Sequence, residues 1–133
     1  MNLKSEKYFI RIESDVMRAS LLSKKFTSNW PISPNDQSRL MTTISELGHN
    51  ILKYAHSGEI TIAYHESFGK SYFEVNATDR GPGISNIELA LQNQYSTGGT
   101  LGLGLPGIKR LMDEFSIDSK LDHGTTVNVR KFL

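Results

Sequence analysis

At 133 residues, 38% of them hydrophobic and 22% charged, the chain has the length of one domain, too short for two ordinary ones, and can bury roughly two-thirds of its unfolded surface. Lys and Arg total 15 against 14 Asp and Glu, a formal net charge of +1, which argues against the basic field of a nucleic-acid binder or a polybasic membrane anchor. With no cysteine, disulfides, thiolate metal sites and a cysteine nucleophile are excluded, and a reducing compartment fits.

Alternating β-branched and aromatic residues predict a short edge strand from Tyr8 to Glu13, with Ser14 and Asp15 as caps for a helix to about Phe26. Ser33 and Pro34 read as an N-cap and a first helical position. The long helix they open runs to about Tyr54, because Leu40, Ile44, Leu47, Ile51 and Tyr54 recur at steps of three and four. Glu59 to Glu66 and Ser71 to Thr78 alternate as two antiparallel strands joined by a turn at Ser67-Phe68-Gly69-Lys70. A helix is expected at Ile87 to Gln94 and another from Leu105-Pro106 to about Glu114. Strands at Phe115 to Leu121 and Thr125 to Phe132, joined by Asp122-His123-Gly124, complete the chain. The order β-α-α-β-β-α-α-β-β favours an α+β fold, a mainly antiparallel sheet with helices covering one face, as a single domain over residues 1–133. No apolar run approaches the ~20 residues that span a bilayer, and the N-terminus lacks a secretory apolar stretch. The expectation is a cytoplasmic protein with neither a membrane nor a nucleic-acid partner.

Four constellations carry chemistry. On the long helix, Glu46, Asn50 and Lys53 are spaced i, i+4, i+7 and share a face. A carboxylate beside a carboxamide offers hard oxygen donors of the kind Mg²⁺ takes, although E-x-x-x-N alone is more often a solvated polar face. Asp79-Arg80-Gly81-Pro82-Gly83 follows a strand, where an aspartate can accept from an exocyclic amine and glycine lets backbone approach a flat ring. Taken singly, it is also good turn sequence. From Ser96 to Arg110, a glycine-rich loop runs into a helix N-terminus, whose free N–H groups suit polyphosphate. Neither G-x-x-x-x-G-K-[ST] nor a strand–G-x-G-x-x-G–helix unit is present, so P-loop and Rossmann readings fail on spacing. Gly124-Thr125-Thr126-Val127 opens the last strand with hydroxyls able to reach a base, or simply closes a hairpin. Eleven glycines are ordinary as a total, yet Gly81, Gly83, Gly98, Gly99, Gly102, Gly104 and Gly107 crowd into one stretch.

In this order and spacing, the four resemble the N box, G1 box, G2 box and terminal Gly-Thr element of the GHKL (histidine-kinase-like) ATPase/kinase superfamily, over essentially the whole chain. SELGHNILKYAHSGEITI, DRGPGI and STGGTLGLGLPGIKRLMDEFSIDS are most similar to its small single-domain branch of anti-sigma-factor-type serine/threonine kinases, in particular those of the bacterial stressosome. The resemblance implies the two-layer Bergerat ATP-binding fold, with ATP and Mg²⁺ as cofactors. By the family pattern Asn50 would ligate Mg²⁺, Glu46 would be the general base toward the acceptor hydroxyl, and Asp79 would read the adenine amino group. Gly81 and Gly83 would shape the base pocket, with Thr125 assisting through water. Gly98, Gly99, Thr100, Leu101, Gly102, Leu103 and Gly104 would form the lid around the phosphates. Lys53 and Arg80 either lend charge near phosphates or are solvated. His49 stands where relatives commonly carry a basic residue and is not read as a phospho-acceptor, since no dimerising phosphotransfer helix pair accompanies it. His56, His65 and His123 have no ligand-like spacing, so a zinc site is not expected.

The activity implied is a kinase that phosphorylates STAS-domain partners of a stressosome and, by partner switching, regulates a downstream phosphatase or other output protein. The competing reading is a non-catalytic, nucleotide-responsive adaptor or anti-sigma factor that sequesters its partners; Glu46 and Asn50 occurring together favour catalysis. A hydrolysing machine of the gyrase or chaperone type would need further domains.

Overall fold

Residues 4–82 and 104–133 are described by the computed structural model. The long helix α2 spans Pro34–Tyr54, with Pro34 in its first turn and Ser33 as N-cap. The Ser33 hydroxyl accepts from Asp36 N–H at 3.0 Å, satisfying one of the donors a helix start leaves open. Leu40, Ile44, Leu47 and Ile51 are each 3% exposed or less, so the three-and-four spacing reports the buried face as predicted.

Five strands, β1 (Lys4–Ile10), β2 (Gly58–Ser67), β3 (Lys70–Asp79), β4 (Glu114–Lys120) and β5 (Gly124–Phe132), form one sheet in the order β1-β2-β3-β5-β4. Every neighbouring pair is antiparallel. Phe68 and Gly69, at φ 53° and 76°, make the two-residue turn between β2 and β3; two left-handed residues match the right-handed twist of the flanking strands. Helices α1 (Glu13–Phe26), α2 and α3 (Gly104–Leu111) supply the apolar cover. Ile10, Ile60, Ile62, Phe73, Val75 and Val129 of the sheet join Ile44 and Ile108 in a core where each is fully buried. The opposite sheet face carries a polar ladder. On it, Glu74 Oε2 accepts from Asn128 Nδ2 at 3.2 Å and Arg130 Nε at 3.0 Å, while the Thr78 and Thr126 hydroxyls meet at 3.0 Å. The α+β expectation, with an edge strand first and helices on one face, matches this architecture.

Two boundaries differ from the sequence reading. The first strand occupies Lys4–Ile10 rather than Tyr8 to Glu13, because its pairing ends where Ile10 meets Gly58, the first residue of β2. Beyond it the Asp15 carboxylate accepts from Arg11 N–H at 2.9 Å and Ile12 N–H at 3.1 Å, turning the chain into α1. Ile12 is the N-cap and Asp15 reaches back from the third helical position, so neither Ser14 nor Asp15 is itself the cap. Helix α3 ends at Leu111 rather than near Glu114, and β4 starts at Glu114. Asp113 is the cause: its N–H donates to Arg130 O at 2.9 Å and its carboxylate accepts from Phe132 N–H at 2.7 Å, drawing the chain into the sheet. The helix expected at Ile87 to Gln94 lies outside the described residues, and among those described no helix is long and apolar enough to cross a membrane.

Candidate functional site

Helix α2 sets the first two groups. Glu46 is 2% exposed, so it does not belong to a solvated face. An interior carboxylate needs donors, and its Oε2 accepts from Gly104 N–H at 3.3 Å. Gly104 opens α3 at φ +51°; the contact ties the middle of α2 to the start of α3. One turn along, Asn50 is half-buried, and its Nδ2 is enclosed with no hydrogen-bond partner among the described residues. Leaving such a donor unpaired costs about 1–3 kcal/mol.

Asp79 ends β3, and its Oδ1 accepts from Gly81 N–H at 2.9 Å and Thr125 N–H at 3.2 Å. Both bonds fall on one oxygen, Oδ1. Two glycines make this junction feasible. A Cβ on Gly81 would stand 2.4 Å from the Ala55 Cβ at the end of α2, and one on Gly124, whose φ is +95°, would stand 2.1 Å from Asp79 O. No side chain fits either place. Thr125 is 7% exposed, and its hydroxyl lies 2.7 Å from that of Ser119.

Between these elements lies a narrow cleft of about 20 Å³, room for about one water molecule. Leu47, Asn50, Ile51 and Tyr54 of α2 form one wall, Ala77 and Asp79 of β3 with Thr125 and Val127 of β5 form the floor, and Leu105 of α3 closes a side. The cleft lining is apolar with a carboxylate and a hydroxyl at one end, the chemistry that recognises the edge of a heteroaromatic ring carrying a donor. Asn50 lies at the wall next to Glu46. Its carboxamide oxygen is the hard donor that Mg²⁺ accepts, and no group of three or more His, Cys, Asp or Glu poised to hold a metal occurs among the described residues. That sparse donor set fits Mg²⁺, which takes one or two protein ligands and completes its shell with phosphate and water.

The structure therefore brings Asn50, Asp79 and Thr125 to one cleft, with Gly81 behind Asp79 and Glu46 and Gly104 beside it. Gly83, Gly98, Gly99, Thr100, Leu101, Gly102 and Leu103 lie outside the described residues. Lys53 and Arg80 are exposed and do not line the cleft; the Lys53 ammonium lies 5.3 Å from the centre of the Tyr54 ring. His49 turns toward α1, its Nε2 3.7 Å from Glu13. Sequence reasoning assigned Leu47, Ile51 and Val127 to a core or a strand rather than to a cleft, since periodicity marks burial without saying what covers the face.

Residues 35–133 match the family described as Histidine kinase-, DNA gyrase B-, and HSP90-like ATPase. The Serine/threonine-protein kinase RsbT of Bacillus subtilis (strain 168) is 41% identical over 124 residues, which cover 93% of this chain and 93% of that protein. An Anti-sigma F factor of Halalkalibacterium halodurans is 31% identical over 104 residues, 74% of this chain and 71% of that one. Among solved structures, the histidine kinase domain of the Erythrobacter litoralis EL346 blue-light activated histidine kinase superposes with TM-score 0.54 at 17% identity, covering 90% of this chain and 59% of that one. The SiaB-SiaC complex from Pseudomonas aeruginosa gives TM-score 0.56 at 13% identity, covering 97% and 89%. At these identities the two structures speak for the fold.

Proposed function

Since the chain belongs to the histidine kinase-, DNA gyrase B- and HSP90-like ATPase family, we propose that it is a cytoplasmic protein serine/threonine kinase, using Mg-ATP to phosphorylate STAS-domain partners. The observation that carries this reading is the meeting of Asn50 of α2 with Asp79 and Thr125 at one cleft, with the buried Glu46 one turn from Asn50 on the same helix. Similarity to RsbT along nearly the whole chain supports the kinase class and, through the stressosome resemblance, the acceptor class.

In this scheme the adenine ring lies between Leu47, Ile51 and Val127 and donates its amine to Asp79 Oδ2. Thr125 supports the same edge through water. The Asn50 oxygen would hold Mg²⁺, an ion that would supply neutralisation of the phosphate charge. Glu46 Oε1 accepts the proton of the acceptor hydroxyl as its oxygen bonds to the γ-phosphorus; the bond from that phosphorus to the β,γ-bridging oxygen breaks, and ADP departs. Such transfers need position and charge stabilisation above all, and a base fixed on a rigid helix supplies position. Backbone amides of the glycine-rich stretch from Gly98 to Leu103 would take the phosphates. By partner switching, the phosphorylated partner releases the kinase to engage a phosphatase or other output protein. The 31% identical Anti-sigma F factor favours sequestration of partners as a second role of the same surface.

Mass spectrometry of a STAS-domain protein incubated with the wild-type chain, ATP and Mg²⁺ tests the proposal. One phosphate on a serine or threonine, absent when EDTA is added, is expected. Stable partner binding without phosphate would leave the adaptor reading in its place.

A further inference from the structure

Strand β1 lies at one end of the sheet and pairs with β2 alone, so among the described residues the N–H and C=O groups along its other edge have no ladder. An open edge is a template for one more strand. Along β1 the side chains alternate between the two sheet faces, Tyr8 and Ile10 buried in the core and Phe9 between them 59% exposed. Lys7, Tyr8 and Phe9 nonetheless line one depression of about 390 Å³ in succession. With β2 covering the inner edge, residues of both faces share a space where it passes the outer one.

The far wall of this depression is α1, through Arg18, Ala19 and Leu22. From Leu22 it runs into a second depression of about 420 Å³, bounded by Glu6 of β1 and by Lys25, Phe26 and Trp30. Residues 18, 22, 25 and 26 follow three-and-four spacing, so one helix face accompanies the strand edge. From Asp15, which also lines the trough, to Phe26 is roughly 16 Å of helix, the length of about five residues of extended chain. The floor is apolar: Ala19 and Trp30 are buried, and Leu22 is 41% exposed. The rim is mainly cationic. Lys7 meets Glu59 at 3.5 Å, and the Asp15 carboxylate is engaged at the start of α1, where it accepts from Arg11 and Ile12 N–H. Arg11 and Arg18 act on that carboxylate only at longer range; neither they nor Lys25, all exposed, form an ion pair among the described residues. None of the residues lining the trough lines the cleft.

We propose that this trough docks an extended, acidic segment of a partner protein, which adds to β1 as a sixth strand. Its apolar side chains rest on Ala19, Leu22 and Phe26, and its carboxylates meet Arg11, Arg18 and Lys25. A second copy of this chain is the poorer occupant, because β1 carries Lys4 and Lys7 against Glu6 and two such edges would bring cation toward cation.

Amide NMR shifts of the full chain, titrated with a blocked heptapeptide of alternating Glu and Val, test the proposal. Shifts should centre on Lys4–Ile10 and α1, with slowed hydrogen exchange in β1. Arg18→Glu/Lys25→Glu should weaken the peptide by about tenfold while leaving Tm and Mg-ATP affinity unchanged. A heptapeptide of alternating Lys and Val should bind at least about tenfold more weakly, and the Glu/Val peptide N-methylated at every residue, its ladder donors removed, should not bind. Equal binding of both charges, undiminished binding of the N-methylated peptide, shifts centred elsewhere, or no shift at millimolar peptide would each overturn it. So would a dimer in sedimentation whose contact maps to β1, which gives the trough to a second copy. Should the charge reversal not fold, the three peptides on the wild type carry the test.

Discussion

Replacing Asp79 with Asn separates what this residue does for the fold from what it does for a ligand. Its Oδ1 accepts from Gly81 N–H at 2.9 Å and Thr125 N–H at 3.2 Å, and an asparagine carbonyl can accept both. The fold should then lose about 1 kcal/mol or less, the difference between a charged and a neutral acceptor. Asp79→Ala, by contrast, orphans two backbone donors at the junction of β3 and β5 and should cost about 1–3 kcal/mol for each that stays dry. Toward a ligand the order of severity is different. In Asp79→Asn the second oxygen becomes an NH₂ group, so an acceptor facing an exocyclic amine becomes a donor facing a donor. Losing a hydrogen bond to a charged group removes about 1.5–3 kcal/mol, or about 10- to 100-fold in affinity. Calorimetry with Mg-ATP and Mg-GTP, beside urea denaturation of the same preparation, measures both. The expected result is near-native stability, ATP binding weakened within that range, and an eroded preference for ATP over GTP. Native ATP affinity and an unchanged ratio in a folded Asp79→Asn would refute the assignment of Asp79 to base recognition.

Two further substitutions test the frame around the cleft. Gly124→Ala puts a Cβ 2.1 Å from Asp79 O at φ +95°, forcing the ends of β3 and β5 apart; a loss of about 2 kcal/mol or more with weakened ATP binding is expected, and an unchanged Tm contradicts it. On the open sheet face, burial acts to raise the Glu74 pKa, but hydrogen bonds from Asn128, Arg130 and His65 and the Arg130 charge hold it below the usual glutamate range. Its folded value lying below its unfolded one, Glu74 contributes stability above roughly pH 4 that is lost as pH falls through the folded value. Urea midpoints compared at pH 7 and pH 3 should show Glu74→Gln losing less on acidification than the wild type, and equal losses would remove Glu74 from the acid response.

The fold was legible where one signal dominated: the apolar steps of α2, the Ser33-Pro34 start and the two hairpins. It was less so where a side chain overruled local pattern. Tyr8 to Glu13 alternates like a strand, yet the far end of β1 is set by β2 starting at Gly58 and by the Asp15 carboxylate capturing two N–H groups. Asp113 cuts α3 short in the same way, through Arg130 and Phe132 some way along the chain. In the candidate site, Asn50, Asp79 and Thr125 were identified by residue type and order, and they do meet in one cleft. The burial of Glu46 was not legible, since its spacing equally describes a solvated stripe, and its bond from Gly104 at the start of α3 spans far more chain than a local motif.

The central claim is that Glu46 takes the proton of the acceptor hydroxyl during transfer. A single-turnover measurement on Glu46→Gln tests it most directly, because the amide keeps the size of the side chain, and its carbonyl can still accept from Gly104 N–H. With Mg-ATP saturating and a STAS-domain acceptor in excess, the account predicts ATP affinity within a few-fold of wild type and a phosphotransfer rate lower by about 10²–10⁴-fold, the usual contribution of a positioned general base. Transfer by Glu46→Gln at the wild-type rate, with nucleotide and acceptor bound equally well, would contradict it.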